Sequence, residues 1–173
     1  MIKVIEGALK DYKGKKAKVE TTLARIEAWE YALAHLDEVR FVSRTSAPND
    51  CWIMKFNNGY SMGSPVENYA ISDEEKEERL KEFIERDKSN IFPLQMEIKQ
   101  IEKAIGALTR QERFIVESKY FEKMFWREIE RNFNEKFRQQ NYITESGLKK
   151  IKSEALKKLV ELLQPFYTLI KIA

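Results

Sequence analysis

Residues 108–121 read Leu108-Thr109-Arg110-Gln111-Glu112-Arg113-Phe114-Ile115-Val116-Glu117-Ser118-Lys119-Tyr120-Phe121. Thr109-Arg110-Gln111-Glu112 is a capping box: the Thr109 hydroxyl can accept from the Glu112 backbone N–H, while the Glu112 carboxylate reaches back to the N–H of Thr109. A helix over 110–121 is predicted, with Phe114, Ile115, Ser118 and Phe121 close to one face. After the connector Glu122-Lys123-Met124, Trp126, Ile129, Phe133 and Phe137 recur at helical spacing and predict a second, shorter helix. Thr144 then offers an N-cap for a third, whose buried stripe is Leu148, Ile151, Ala155, Leu159 and Leu162. The opposite face of that helix carries Ser146, Lys149, Lys150, Ser153 and Lys157. A polar, basic helix behind a shorter one has the shape and donor chemistry that a DNA major groove admits, so the pair reads as a helix-turn-helix.

Upstream, Leu94, Ile98, Ile101, Ile105 and Leu108 follow a four-three-four-three spacing, a heptad-like seam that suits internal packing or the pairing of two subunits. Asp87-Lys88-Ser89-Asn90 and Pro93 are expected to break or kink the helix before it. That helix should begin at Asp73, behind a second capping box, Ser72-Asp73-Glu74-Glu75. Its acidic start suits the positive end of the helix dipole and needs no metal to explain it. Residues 43–71 are punctuated by Ser, Pro, Asn, Asp and Gly, and Asn58-Gly59 predicts a small β-hairpin near 51–62 or an ordered loop, whose Trp52, Phe56 and Tyr60 fold onto a neighbouring helix in preference to forming a recognition surface. From Ala17 to Leu36, Val19, Leu23, Ile26, Trp29, Leu33 and Leu36 mark an amphipathic helix of about five turns. His35 at its end reads as a packing or capping residue. A short helix over 2–14 with a turn at Gly14 completes the chain.

Composition narrows the function. At 173 residues with 43% hydrophobic content, the chain can bury a core. No apolar run approaches 18 residues, and the start lacks a signal peptide's hydrophobic region, so no membrane association and a cytoplasmic, nucleoid-associated location are expected. Lone Cys51 and lone His35 leave neither an internal disulfide nor the usual transition-metal sites. There is no phosphate-cradling glycine loop and no nucleophile with a base partner, so an enzyme is the weakest reading and no cofactor is expected. The net charge of +3 is uneven: residues 108–173 hold 14 basic and 9 acidic side chains, residues 1–107 hold 17 and 19. The basic excess coincides with the segment read as DNA-binding.

Leu108-Thr109-Arg110-Gln111-Glu112-Arg113-Phe114-Ile115, Lys119-Tyr120-Phe121, Trp126-Arg127-Glu128-Ile129 and Thr144-Glu145-Ser146-Gly147-Leu148, running on to Glu154-Ala155-Leu156-Lys157-Lys158-Leu159, resemble region four of bacterial sigma factors. Within that group the chain is similar to the ArpU/RinA type of phage and prophage regulators, whose middle region often carries a motif like Gly63-Ser64-Pro65-Val66-Glu67-Asn68. Two departures stand out. Residues 134–143 lengthen the usual tight turn, and Phe125 occupies the N-cap position of the first helix, where a small polar residue is commoner.

The resemblance implies a mainly α fold: an N-terminal helical region over 1–107 for oligomerisation or partner binding, and a helix-turn-helix domain over 108–173. It implies Thr144, Glu145, Ser146, Lys149, Lys150 and Ser153 at the groove, with Arg127, Arg131, Lys136 and Arg138 on phosphates. The expected function is a transcriptional regulator that binds double-stranded DNA and activates phage or prophage late genes with bacterial RNA polymerase, with a homodimer as one arrangement. A small terminase-like packaging subunit, or an interaction module that binds polymerase without DNA, are the alternatives.

Overall fold

The computed structural model describes residues 1–43, 52–56, 72–137 and 141–170 and is mainly α-helical. In chain order come helix α1 (Ile2–Ala34), a 3-10 turn at Leu36–Glu38, strands β1 (Val39–Ser43) and β2 (Trp52–Phe56), and helix α2 (Asp73–Gly106). Helix α3 (Arg110–Val116) runs on into a π-helical turn, Glu117–Phe121, and is followed by α4 (Trp126–Phe137) and α5 (Glu145–Ile170). The chain forms two compact units, one of residues 1–19 with 93–173 and one of residues 20–92. The sequence boundary drawn at 107/108 therefore does not coincide with a unit boundary. The cause is tertiary: Glu6 at the start of α1 accepts from the Tyr120 hydroxyl, and Glu97 of α2 accepts from the Tyr167 hydroxyl, so both segments belong with the C-terminal helices.

Two elements run through residues that predicted stops. Gly14 lies inside α1 with no turn there, and Pro93 lies inside α2 without breaking it. A mid-helix glycine costs about 1 kcal/mol and a proline about 3 kcal/mol. Fully burying one Ile or Leu contributes about 1.5–3 kcal/mol. Ile5, Leu9 and Tyr12 on one side of Gly14 and Val19 on the other are buried, as are Ile84 and Ile91 before Pro93 and Ile98, Ile101 and Ile105 after it. Packing outweighs the local preference in both helices. Of the heptad-like seam, Ile98, Ile101, Ile105 and Leu108 are buried within the single chain and Leu94 is half-buried.

In the unit of residues 20–92, Ala32 and Leu80 form a core flanked by Trp29, Leu33, Leu36 and Phe83. Asp87 is buried there and accepts from the Arg25 guanidinium at 2.6 Å and the Trp29 indole N–H at 3.4 Å. Leu23, expected in the buried stripe of α1, is 38% exposed, and Thr22 beside it is buried instead. His35 stacks on the Tyr31 ring at 4.2 Å with its Nδ1 2.9 Å from the Tyr31 carbonyl, a packing role at the helix end. Strands β1 and β2 pair antiparallel, Val39 opposite Phe56 and Ser43 opposite Trp52. Cys51, Asn58, Gly59, Tyr60 and the motif at 63–68 lie outside the described residues.

The other unit is pinned by carboxylates shared between a tyrosine and a lysine. Glu102 accepts from the Tyr12 hydroxyl at 2.6 Å and the Lys16 ammonium at 3.0 Å. Glu97 takes Lys15 at 2.7 Å and the Tyr167 hydroxyl at 2.8 Å; Glu6 takes Tyr120 and, at 3.4 Å, Lys152. These bonds hold the Glu6 and Glu102 carboxyls below the ordinary range, the Tyr120 and Tyr12 hydroxyls being the main causes. Burial, and then the Glu6 carboxylate, push the Tyr120 phenol well up.

Candidate nucleic-acid interface

The interface candidates sit on a three-helix core. Ile115 of α3, Ile129 and Phe133 of α4 and Leu148 of α5 are completely buried together, with Phe114, Met124, Trp126, Phe137, Ile143 and Ile151 packed around them. Most of the predicted stripe residues are buried or half-buried, with two departures: in α3 and its π-helical turn Val116 and Tyr120 are buried as well and Phe121 is only half-buried, and at the end of α5 Leu162 is half-exposed while Leu156 and Leu163 are buried. At about 100° per residue a seven-residue step drifts back by about 20°, so the stripe Leu148, Ala155, Leu162 turns away from the face that Leu156, Leu159 and Leu163 bury.

Each helix start is fixed by hydrogen bonds. At α3 the Thr109 hydroxyl accepts from the Glu112 N–H, and the Glu112 carboxylate accepts from the Thr109 N–H at 3.0 Å, so the capping box is complete. Glu112 is buried and pairs with Lys158 of α5. Burial alone would raise its pKa; the Lys158 ammonium and both Thr109 donors outweigh that and hold the carboxyl below its ordinary value. At α4, Phe125 has no side-chain acceptor and is 76% exposed, but the Glu128 carboxylate accepts from its N–H at 2.9 Å. Half of a capping box thus survives the departure at Phe125.

Entry to α5 depends on a residue that the sequence did not single out. Asn134 is buried, accepts from the Ile143 N–H at 2.7 Å, and donates to the carbonyls of Ile143 and Glu130, both at 2.8 Å. It ties the end of α4 to the residue before Thr144. An asparagine inside an amphipathic helix is a weak signal, since such side chains serve turns and caps as readily as solvent. The Thr144 carbonyl accepts from Leu148 N–H, and its hydroxyl shares a hydrogen bond with the Ser146 hydroxyl at 3.0 Å. Gly147 follows: a Cβ at this position would lie 2.8 Å from Ile143 Cγ2, so glycine permits the close approach.

Of the predicted contact residues, Thr144, Ser146, Lys149, Lys150 and Ser153 are exposed, Glu145 is half-buried, and Arg127 and Arg131 are exposed on α4. At about 100° per residue, Ser146, Lys149, Lys150, Ser153 and Lys157 share an arc of roughly 100° on α5, and Arg127 and Arg131 lie within about 40° of each other on α4. Lys149 bonds Glu145 at 2.6 Å and lies 5.6 Å from the centre of the Trp126 ring, with Lys119 5.2 Å from the same ring. Trp126 therefore links α4 to the basic face of α5. Lys136 falls elsewhere: it is about 180° around α4 from Arg127, and its ammonium lies over Phe114 at 5.2 Å and Phe137 at 5.6 Å. Arg138 lies outside the described residues.

Lys123, before α4, has φ of 57°, the only non-glycine in the left-handed region among the described residues. Such a conformation costs a side-chain-bearing residue about 1–2 kcal/mol. Among the described residues no cluster of His, Cys, Asp or Glu could hold a metal ion, and no helix is long and apolar enough to cross a membrane. No protein family profile matches the chain, and no curated protein or solved structure matches it significantly.

Proposed function

We propose that the chain is a sequence-specific DNA-binding transcriptional regulator in which α4 and α5 act as a helix-turn-helix. The observation that carries this is the exposed arc of Ser146, Lys149, Lys150, Ser153 and Lys157 on a helix whose other face is locked into a three-helix core. Two short serines let the helix approach base edges, and the lysines supply donors to guanine or to phosphate. Exposed Arg127 and Arg131 on α4 serve the backbone. The sigma region-four resemblance adds the biological setting: activation of phage or prophage genes alongside bacterial RNA polymerase.

The test is binding to duplex fragments tiled across the region around the chain's own gene, at two salt concentrations, with and without polymerase. A preferred upstream fragment and a steep salt slope are expected; no fragment preference at low salt would remove the reading. A preferred fragment bound by a ring-shaped oligomer would favour DNA packaging, and polymerase binding without DNA affinity would favour an interaction module. If Lys149 reads a base, Lys149→Ala should cost about 1–3 kcal/mol of DNA affinity and relax base preference at one position. Unchanged affinity would take Lys149 out of the recognition set.

A further inference from the structure

The first turns of α1 lie beside the proposed recognition face. Ile2 and Glu6 line one groove with Trp126, Lys149, Lys152 and Ser153. About one helical turn past Glu6, α1 enters a second cleft, lined by Lys10, Lys13, Lys15 and Lys18, with Lys123 from the turn before α4. Asp11 is the one carboxylate in that lining. Lys15 bonds Glu97, and Lys10, Lys13 and Lys123 are exposed to solvent. At 1.5 Å per residue, Lys10 to Lys18 spans about 12 Å along the helix. Duplex DNA carries a charge about every 1.7 Å of its axis, so such a line faces several phosphates. Lys123 is moreover held in a left-handed conformation that a glycine would adopt more readily.

We infer that the lysine-lined cleft of α1, completed by Lys123, is a second phosphate-contact surface for double-stranded DNA, gripping backbone that flanks the site read by α5. This rests on the regulator reading and extends the contact surface beyond the helix-turn-helix. The partner is a duplex because α1 continues from the groove containing Lys149 and Ser153 into this cleft, so one backbone can run along both. The contacts are sequence-independent and should appear as salt dependence rather than base preference.

The experiment compares wild type with the Lys10→Ala/Lys13→Ala/Lys123→Gly variant, using a random-sequence duplex of about 30 base pairs, roughly three helical turns, and the tightest genomic fragment. Affinities are measured over a salt series and thermal stability is recorded in parallel. Each lost contact should lower the slope of log affinity against log salt by about 0.9, so the variant should lose roughly 2–3 units on both duplexes with its fragment preference intact. Lys123→Gly keeps the backbone conformation accessible, so its share of the loss should come without a lower melting temperature. Lys99→Ala/Lys103→Ala, which removes exposed lysines of α2 outside the cleft, should leave the slope unchanged. An unchanged slope in the cleft variant, or an equal fall in the α2 variant, overturns the inference while the regulator reading stands. Wild type that binds no duplex at low salt overturns both.

Discussion

The short helices α3 and α4 with the start of α5, and the long helices α1 and α2, obey different rules. In the first region each helix start is tied by a named side chain: Thr109 with Glu112, Glu128 at Phe125, Asn134 at Ile143. In the second, the Ser72 hydroxyl accepts from the Glu75 N–H at the start of α2, yet the helices pass through the interior signals Gly14 and Pro93. A stop signal worth about 1–3 kcal/mol matters where a helix is short and its ends carry a large share of its hydrogen-bonding needs. It is overridden where a long apolar face is buried on both sides of it.

The largest effect expected from breaking this pattern is at Asn134. Asn134→Ala removes three hydrogen bonds and leaves the Ile143 N–H and carbonyl without their buried partner. At about 1 kcal/mol per bond, plus the cost of unsatisfied groups, destabilisation of about 2–4 kcal/mol is expected by urea unfolding. If boundary side chains matter as argued, DNA affinity should fall with it, because Asn134 sets where α5 begins. Loss of less than about 0.5 kcal/mol would mean that packing alone fixes the connector.

Next comes the capping box. Thr109→Ala should cost about 1 kcal/mol, within a usual range of 0.5–2 kcal/mol for such caps. The box also has a pH signature. The Glu112 carboxyl is held below its ordinary value of 4.5 in the folded chain, so its contribution is complete above that value and is lost as pH falls through the folded one. Glu6 and Glu102 are lowered in the same direction and add to the same acid limb. Wild-type stability should therefore fall below about pH 4.5. Thr109→Ala should flatten that limb, because two of the donors that depress Glu112 are Thr109's backbone and side chain and the substitution deletes the second. A limb as steep as the wild type's would assign the acid sensitivity to Glu6 and Glu102 instead.

These contrasts explain what was legible in the sequence. The Thr109 box, the stripes of α3 and α4 and the basic face of α5 could be read because each is a local pattern whose chemistry closes within a turn or two. Glu6 bonding Tyr120, Glu97 bonding Tyr167, and the strand pairing of Val39–Ser43 with Trp52–Phe56 could not, since each joins residues distant in sequence. Hence the boundary at 107/108 missed that the first turns of α1 belong with the C-terminal helices. Among the site residues, helical phase identified the α5 arc, while Arg127 and Arg131 came from the resemblance. Lys136 lies about 180° around α4 from Arg127, so its phase sets it apart from those arginines. Asn134 stayed hidden because its three partners are backbone groups, which leave no trace in a pattern of side chains.

The smallest expected effect separates the two regions most cleanly, because one substitution should have opposite signs in them. A Cβ at Gly14 would meet nothing within 4 Å, and the residue is helical without positive φ. Gly14→Ala should therefore stabilise by about 0.5–1 kcal/mol, the difference in helix preference, and raise the melting temperature by a few degrees. At Gly147 the same methyl group would lie 2.8 Å from Ile143 Cγ2, a branch held close to its own backbone. Gly147→Ala gains the same preference but pushes Ile143 against the Asn134 connection, and overpacking of this kind costs about 1–3 kcal/mol. The net result should be a modest loss, and DNA affinity should fall only in this second variant. Stabilisation at both positions would mean that the α4–α5 connection yields as easily as open helix, and that its boundary residues do not hold α5 in register. Destabilisation at both would mean that α1 needs a turn at Gly14, and that Lys10 and Lys18 do not share one straight helix.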